Sequence, residues 1–312
     1  MILLLISVAG CAGKHGCLPH PPVPGIDQVH VVDGVPAFQQ ETDQCGPAAL
    51  AAMLSWSGVD ITPQELSETV FDPETRGTLQ VSLVAAARRH GRVAYGIQGM
   101  KELKASLESG YPVLVLINKG LSWWPIHHYA VVFGHDPGNR RFLMAGGKAC
   151  TEYVHVRRFR RMWSREAHWG LLVLPPGEVP GIADKDRWLK AVHGLERADR
   201  YEEAHAAYRA TLERWPEELA AMVGRANVLY AMGDLERAEA VLIKAASAHP
   251  GSGPVFNNLA NVLLELGKLD QALAAALKAI ETGGPHMAVY TETLESICRA
   301  TDSDKSCLRT LE

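Results

Sequence analysis

The stretch Asp43-Gln44-Cys45-Gly46-Pro47-Ala48-Ala49-Leu50-Ala51-Ala52 decides how the first half of this chain is read. Ala and Leu are strong helix formers, so the run from Ala48 onward predicts a helix. Pro47 fits its first turn, where a missing N–H would be unbonded anyway. Cys45 therefore opens the helix, and the positive end of the macrodipole favours a thiolate there. Roughly eighty positions later comes His127-His128-Tyr129-Ala130-Val131-Val132, a β-type run that begins on imidazoles. A thiol at a helix N-terminus and a histidine opening a strand are candidates for a nucleophile and its base. The blander readings are a buried Cys45 acting as a small hydrophobe and a His128 hydrogen-bonded within a sheet. His127 points to the opposite face from His128 and reads as a rim residue.

Around these two segments, residues 31–177 read as one domain. Thr62 is a plausible N-cap for a helix starting at Pro63-Gln64-Glu65-Leu66. A third helix is expected from about Leu79 to His90, ended by Gly91, and a short fourth from Met100 to Glu108. Strands follow at Pro112–Ile117, His128–Phe133 and Arg141–Met144, the last two joined by a turn over Gly134-His135-Asp136-Pro137-Gly138-Asn139. His168–Leu174 is expected to close the sheet. Helices first and strands afterwards make an α+β domain with an antiparallel sheet. The basic run Arg157-Arg158-Phe159-Arg160-Arg161 with Trp163 reads as a helix with a solvated face, or less readily as an anion site.

The second half repeats. Ala204, Ala238 and Ala272 recur with a period of 34, as do Pro216 and Pro250. On that frame Trp188, Met222 and Phe256 coincide, as do Ala191, Arg225 and Leu259, then Leu195, Leu229 and Leu263, then Tyr208, Leu242 and Ala276. The small residue lets two helices approach, and the Pro stops the second helix. This pattern resembles the tetratricopeptide repeat. Residues 185–301 are then three repeats and a capping helix over Met287–Arg299, forming an all-α solenoid. Such a solenoid implies a protein partner, bound as a peptide segment.

The remaining features bear on compartment and partners. The chain has 312 residues, a net charge of −4 and ordinary composition, which gives no sign of nucleic acid. Met1–Ala9 is apolar and ends in Val8-Ala9-Gly10-Cys11, which resembles a bacterial lipoprotein signal over residues 1–11. Cys11 would carry the lipid, anchoring the protein to a membrane, and Ala12 in place of Asp points to the outer membrane, facing the periplasm. Positive residues expected before the apolar run are missing, which places the expected start codon upstream of Met1. An ordinary signal peptide or a chance apolar start are the alternatives. Residues 12–30 are rich in Pro and Gly and read as a linker. Of the six cysteines, Cys298 and Cys307 are close enough in sequence to clip the last helix, although sequence does not fix the pairing. No Cys/His spacing suggests zinc, and no cofactor is expected.

The first domain resembles the papain-like cysteine peptidases, most closely the bacteriocin-leader peptidases that cut after double glycine. The likeness covers roughly Val35 to Leu174 and rests on Gln39-Gln40-Glu41-Thr42-Asp43-Gln44-Cys45-Gly46-Pro47-Ala48 and His128-Tyr129-Ala130-Val131-Val132, in that order. The resemblance implies that Cys45 is the nucleophile, His128 the general base, and Gln39 or Gln40 the oxyanion donor. The family usually carries an Asp or Asn on the strand after the histidine. Here that stretch is Phe142-Leu143-Met144-Ala145-Gly146-Gly147, without a carboxylate. Asp136 and Asn139 are possible orienting groups, although Asp136 reads first as turn chemistry. A Cys–His dyad or a backbone carbonyl could serve instead. Trp123 and Trp124, just before the histidine strand, could wall the substrate cleft or pack on the rim.

Three functions follow from these readings: a membrane-tethered cysteine peptidase whose repeats recruit a partner or substrate, an inactive peptidase-like lipoprotein that grips peptides as a scaffold, and an acyl transferase or amidase acting on cell wall.

Overall fold

A computed structural model describes residues 29–38, 44–74, 77–146 and 151–300. The expected signal with Cys11, nearly all of the linker, and the oxyanion candidates Gln39 and Gln40 lie outside the described residues. The described chain forms two compact units. One comprises residues up to Ala86 together with Gly96–Leu172; the other comprises Ala87–Tyr95 together with Val173 onward.

The first unit opens with strand β1 (His30–Val31) and helix α1 (Cys45–Trp56). Gly46 through Leu54 are all buried, so α1 has no solvent face. A helix that is apolar all round is stable only in the interior. Helix α2 (Pro63–Val70) starts in the expected way: Thr62 Oγ1 accepts from Glu65 N at 3.3 Å, and Glu65 Oε2 accepts from Thr62 N at 2.7 Å. This reciprocal cap is worth about 1 kcal/mol. The short strands β2 (Phe71–Asp72) and β3 (Gly77–Thr78) pair as a ribbon before α3 (Gln80–Arg89). Then come β4 (Val93–Gln98), α4 (Gly99–Glu108), β5 (Val113–Asn118), β6 (His127–Asp136), β7 (Arg141–Ala145), β8 (Glu152–His155), α5 (Val156–Ser164) and β9 (Trp169–Leu174).

The sheet order is β4-β9-β5-β6-β7-β8, with β1 added along β6. Every residue of β5 is buried, and both α1 and α5 pack on it. A strand covered on both faces reads as a continuous apolar run, which is how Val113–Ile117 reads. In α5, Phe159, Met162 and Trp163 point inward while the arginines are exposed, the solvated-face reading of that run.

Two expectations about the sheet are corrected. Gly134-His135-Asp136 is strand rather than turn, because β1 pairs with this end of β6 (His30↔His135, Val31↔Gly134) and holds it extended. The reversal is confined to Pro137–Arg140, with Arg140 at φ +53. In addition, β9 does not close the sheet but sits between β4 and β5. Strand β4 gives no clear signal in sequence, being short and interrupted by Gly96.

Among the described residues the second unit carries seven helices after the sheet: α6 (Lys185–Glu196), α7 (Tyr201–Arg214), α8 (Leu219–Ala231), α9 (Leu235–Ala248), α10 (Gly253–Glu265), α11 (Leu269–Thr282) and α12 (Met287–Ala300). Consecutive helices pack against each other. Ala204, Ala238 and Ala272 have no exposed surface, so they mark the close approaches. Leu195, Leu229 and Leu263 are buried, as are Tyr208, Leu242 and Ala276. Phe256 is only half-buried, and its neighbour Val255 fills the core instead. Gly233 and Gly267 turn the chain at φ +77 and +70, and Asp199 takes the same left-handed turn in the first repeat. Helix α12 covers the last face with Tyr290, Leu294 and Ile297. Cys298, buried on the same helix, is in a disulfide; Cys307 lies outside the described residues, and so does the expected pairing. Tyr95, whose ring lies 6.0 Å from that of Trp188 and whose hydroxyl accepts from Asp184 N at 3.0 Å, ties the 87–95 stretch to this unit.

Forcing a larger side chain into a close approach should cost stability without changing the fold. We expect Ala238→Leu to destabilise the helical unit by about 1–3 kcal/mol. A urea titration followed by far-ultraviolet circular dichroism checks this, and an unchanged midpoint would mean that α8 and α9 do not meet closely there.

Candidate active site

Cys45 is the first residue of α1 and is only partly exposed. The helix is seated by Gly46, where an added Cβ would lie 2.6 Å from Thr78 Cβ. Only glycine permits β3 to approach the first turn so closely. From the other side, the Tyr129 hydroxyl donates to the Thr78 carbonyl at 3.0 Å. Burial first, then the nearby Cys45 and Glu166, push the Tyr129 phenol above its ordinary value, so it stays a protonated donor. Helix α1 packs against β6, the strand that carries His128 and Tyr129. The thiol thus lies in the electrostatic neighbourhood of the residue that follows the candidate base.

His128 is held by a backbone group. The Gly146 carbonyl at the end of β7 accepts a hydrogen bond from its ring, while Nε2 is buried without a hydrogen-bond partner among the described residues. The bonded nitrogen is therefore Nδ1, which carries the proton, and Nε2 presents its lone pair. Burial is the main cause that lowers the His128 pKa to about 4. Lys119 lowers it further; the Gly146 bond and Glu152 oppose both. Lys119 and Glu152 also face each other at 3.7 Å. At neutral pH the ring is an uncharged base with a fixed tautomer.

Neither Asp136 nor Asn139 orients this imidazole. Asp136 lies at the far end of β6, eight residues on, about 27 Å away along an extended strand. Its carboxylate accepts from Asn139 N at 3.0 Å, Asn139 Nδ2 at 2.9 Å and Arg141 Nε at 2.8 Å. The Asn139 contacts and Arg141 hold this buried carboxyl below its usual range against the cost of burial. Both residues serve the β6–β7 turn. The role expected of a side chain falls to the Gly146 carbonyl, a group that leaves no mark in sequence.

The loop from β5 to β6 forms a second hairpin beside His128. Leu121 and Trp124 exchange backbone hydrogen bonds at 3.0 and 3.2 Å. Buried Asn118 accepts from Gly120 N and Ile126 N at 2.9 and 3.0 Å, and Arg165 donates to the Gly120 carbonyl. His127 meets Glu166 at 3.4 Å. Trp123 and Trp124 sit on this braced tip at 77% and 68% exposure, so they do not pack against the sheet. Sequence reasoning did not single out Asn118, Arg165, Thr78 or Gly146. Among the described residues no group of three or more His, Cys, Asp or Glu could hold a metal ion.

Comparison with known proteins finds likenesses for separate parts of the chain. The family model described as "Peptidase_C39 like family" matches residues 32–163. The tetratricopeptide repeat model matches 189–253 and 224–288. The chain thus joins an N-terminal α+β domain similar to the Peptidase_C39-like family to a C-terminal unit of helical repeats similar to the tetratricopeptide repeat. Among solved structures, the peptidase domain of Streptococcus ComA, a bi-functional ABC transporter involved in a quorum sensing pathway, is 24% identical; the match covers 45% of this chain and 96% of that one, at a TM-score of 0.38. The Sgt2 tetratricopeptide domain from Aspergillus fumigatus is 20% identical over 42% of this chain and 85% of that one, with a TM-score of 0.37. The first such domain of Spaghetti (RPAP3), solved with an HSP90 peptide, is 18% identical over 38% and 94%, with a TM-score of 0.36. No curated protein matches significantly.

The lowered pKa of His128 carries a stability signature. Between about 4 and its ordinary 6.5, the unfolded chain binds a proton that the folded chain refuses. Stability should therefore rise with pH across that window, by at most about 3 kcal/mol from this residue. Denaturant unfolding from pH 4 to 7 should show a steeper rise for the native protein than for His128→Gln. Parallel profiles would show that the ring is not buried as described.

Proposed function

We propose that the protein is a cysteine peptidase that uses Cys45 and His128, with the repeats recruiting a polypeptide substrate or partner. The supporting observation is the partnerless Nε2 of His128, fixed in its basic tautomer on the strand against which the Cys45 helix packs. In this reading Nε2 takes the Cys45 proton as sulfur attacks the scissile carbonyl. The C–N bond then breaks as Nε2 returns the proton to the leaving amine. Water, deprotonated by the same nitrogen, releases the acyl group from sulfur. Gln39 or Gln40 is the proposed oxyanion donor, together with the Cys45 backbone N–H. The exposed Trp123 and Trp124 are proposed as the lip that grips an apolar substrate side chain.

One observation favours a second reading, a peptide-gripping scaffold without turnover. A carbonyl at Gly146 fixes the ring but adds no negative charge to stabilise the imidazolium, and the pKa of about 4 makes the base weak. Incubation with the secreted proteins of its own organism, followed by mass spectrometry of new termini, separates the two. We expect termini from the native protein that are absent with Cys45→Ala and about 10²–10⁴-fold slower to appear with His128→Ala. Identical termini from native protein and Cys45→Ala would retire the peptidase.

We further propose that Cys11 is lipidated and tethers the protein to the cell envelope, at the outer membrane facing the periplasm. The support is the apolar run ending Val8-Ala9-Gly10-Cys11. Among the described residues no helix is long and apolar enough to cross a membrane. Metabolic labelling with a radioactive fatty acid should mark the native protein and not Cys11→Ala, and Cys11→Ala should leave the membrane fraction. Equal label in both would refute the anchor.

A further inference from the structure

The repeat pattern breaks at one position. In the 34-residue frame Ala191, Arg225 and Leu259 are equivalent, and the first and third are buried at 5% and 8% exposure. The second repeat puts a half-buried guanidinium there, on α8. Arg225 Nε is buried with no hydrogen-bond partner, and no carboxylate pairs with the side chain among the described residues. An apolar residue would fit this place, as its equivalents show, and an unpaired buried cation is costly. Natural sequences break a local rule in this way mainly where function requires it.

The charged neighbours add further donors. His205 and Arg209 on α7 and Arg237 on α9 lie within electrostatic reach of Arg225. Arg237 is bonded to Asp234 at 2.8 Å, and its Nη2 meets His205 Nε2 at 3.0 Å. A ring nitrogen facing a guanidinium must be the acceptor, so His205 carries its proton on Nδ1. That Nδ1 is also buried without a partner. Burial, then Arg225 and the other two arginines, lowers the His205 pKa, which keeps it neutral. Arg209 has only Glu213 at 3.8 Å, with both side chains mostly exposed. Three guanidiniums thus face two carboxylates. The uncompensated one is Arg225, whose burial and two like-charged neighbours depress its pKa.

We propose that Arg225, with Arg209, Arg237 and the Nδ1–H of His205, forms an oxyanion site that takes a side-chain carboxylate of an acidic polypeptide partner. Guanidinium forks match a carboxylate in geometry as well as in charge. The occupant is polypeptide-borne because stacked repeats present extended surfaces to chains rather than enclosed cavities to free ions. Arg225 reaches the site from α8, the first helix of its repeat, while His205 and Arg209 come from α7 and Arg237 from α9, the second helices of successive repeats. The assignment holds whether or not Cys45 turns over a substrate.

The test uses the full chain, a fluorescent Glu-rich peptide, its Gln-matched twin, and inorganic phosphate as a third probe. We expect the Glu peptide to bind at least about tenfold more tightly than the Gln peptide, the effect of one charge-assisted pair. Arg225→Leu, which restores the residue type of the third repeat, should erase that preference while melting at the same temperature or higher. Arg225→Gln provides a second variant should the leucine disturb packing. A preference that survives in both variants, or native protein that treats the two peptides alike, overturns the proposal. Phosphate binding without peptide binding also overturns it, leaving a site for free anions only.

Discussion

Because α1 is apolar on every side, it has no stable place on a surface and must be enclosed. Its first turn is partly open: there Gly46 lets Thr78 come against the backbone and Cys45 remains partly exposed. Packing of this helix on β5 and β6 decides where the thiol goes and which strand faces it. Gly46 is the vulnerable point. Any side chain there would have to displace Thr78, and with it the carbonyl that accepts from Tyr129.

Burial also sets the chemistry of His128. Removing the ring from water disfavours its charged form, so the imidazole is a neutral base with one nitrogen engaged by Gly146. A carbonyl supplies orientation as a carboxylate would, but not the charge that steadies an imidazolium. The same environment that fixes the tautomer therefore weakens the base.

The helical unit follows a different logic, in which stability comes from repetition. Each repeat buries its alanine and leucine positions against the next, and α12 covers the last face. Such an array tolerates local departures because each repeat touches only its neighbours. Arg225 is one of these, and its cost is confined to the junction of α7, α8 and α9. A basic feature can therefore be carried there at a local cost.

Much of this was legible in the chain. The Thr62 N-cap, the helix from Cys45, the strands at Val113 and His128, and the 34-residue frame all show as spacing, since capping, turn chemistry and helical periodicity act between residues close in sequence. Asp136 also read first as turn chemistry, and its bonds to Asn139 and Arg141 agree. The sheet order did not read out. The place of β9 between β4 and β5, and the extension of β6 through Asp136 by β1, depend on pairings between distant segments. The orienting group of His128 was invisible for the same reason, because a backbone carbonyl is present at every residue and only the meeting of β6 with β7 selects the one at Gly146. Sequence determined which side chains could do chemistry; tertiary packing decided which backbone atoms attend them and how far burial shifts their charge, since these depend on neighbours that the order of the chain does not reveal.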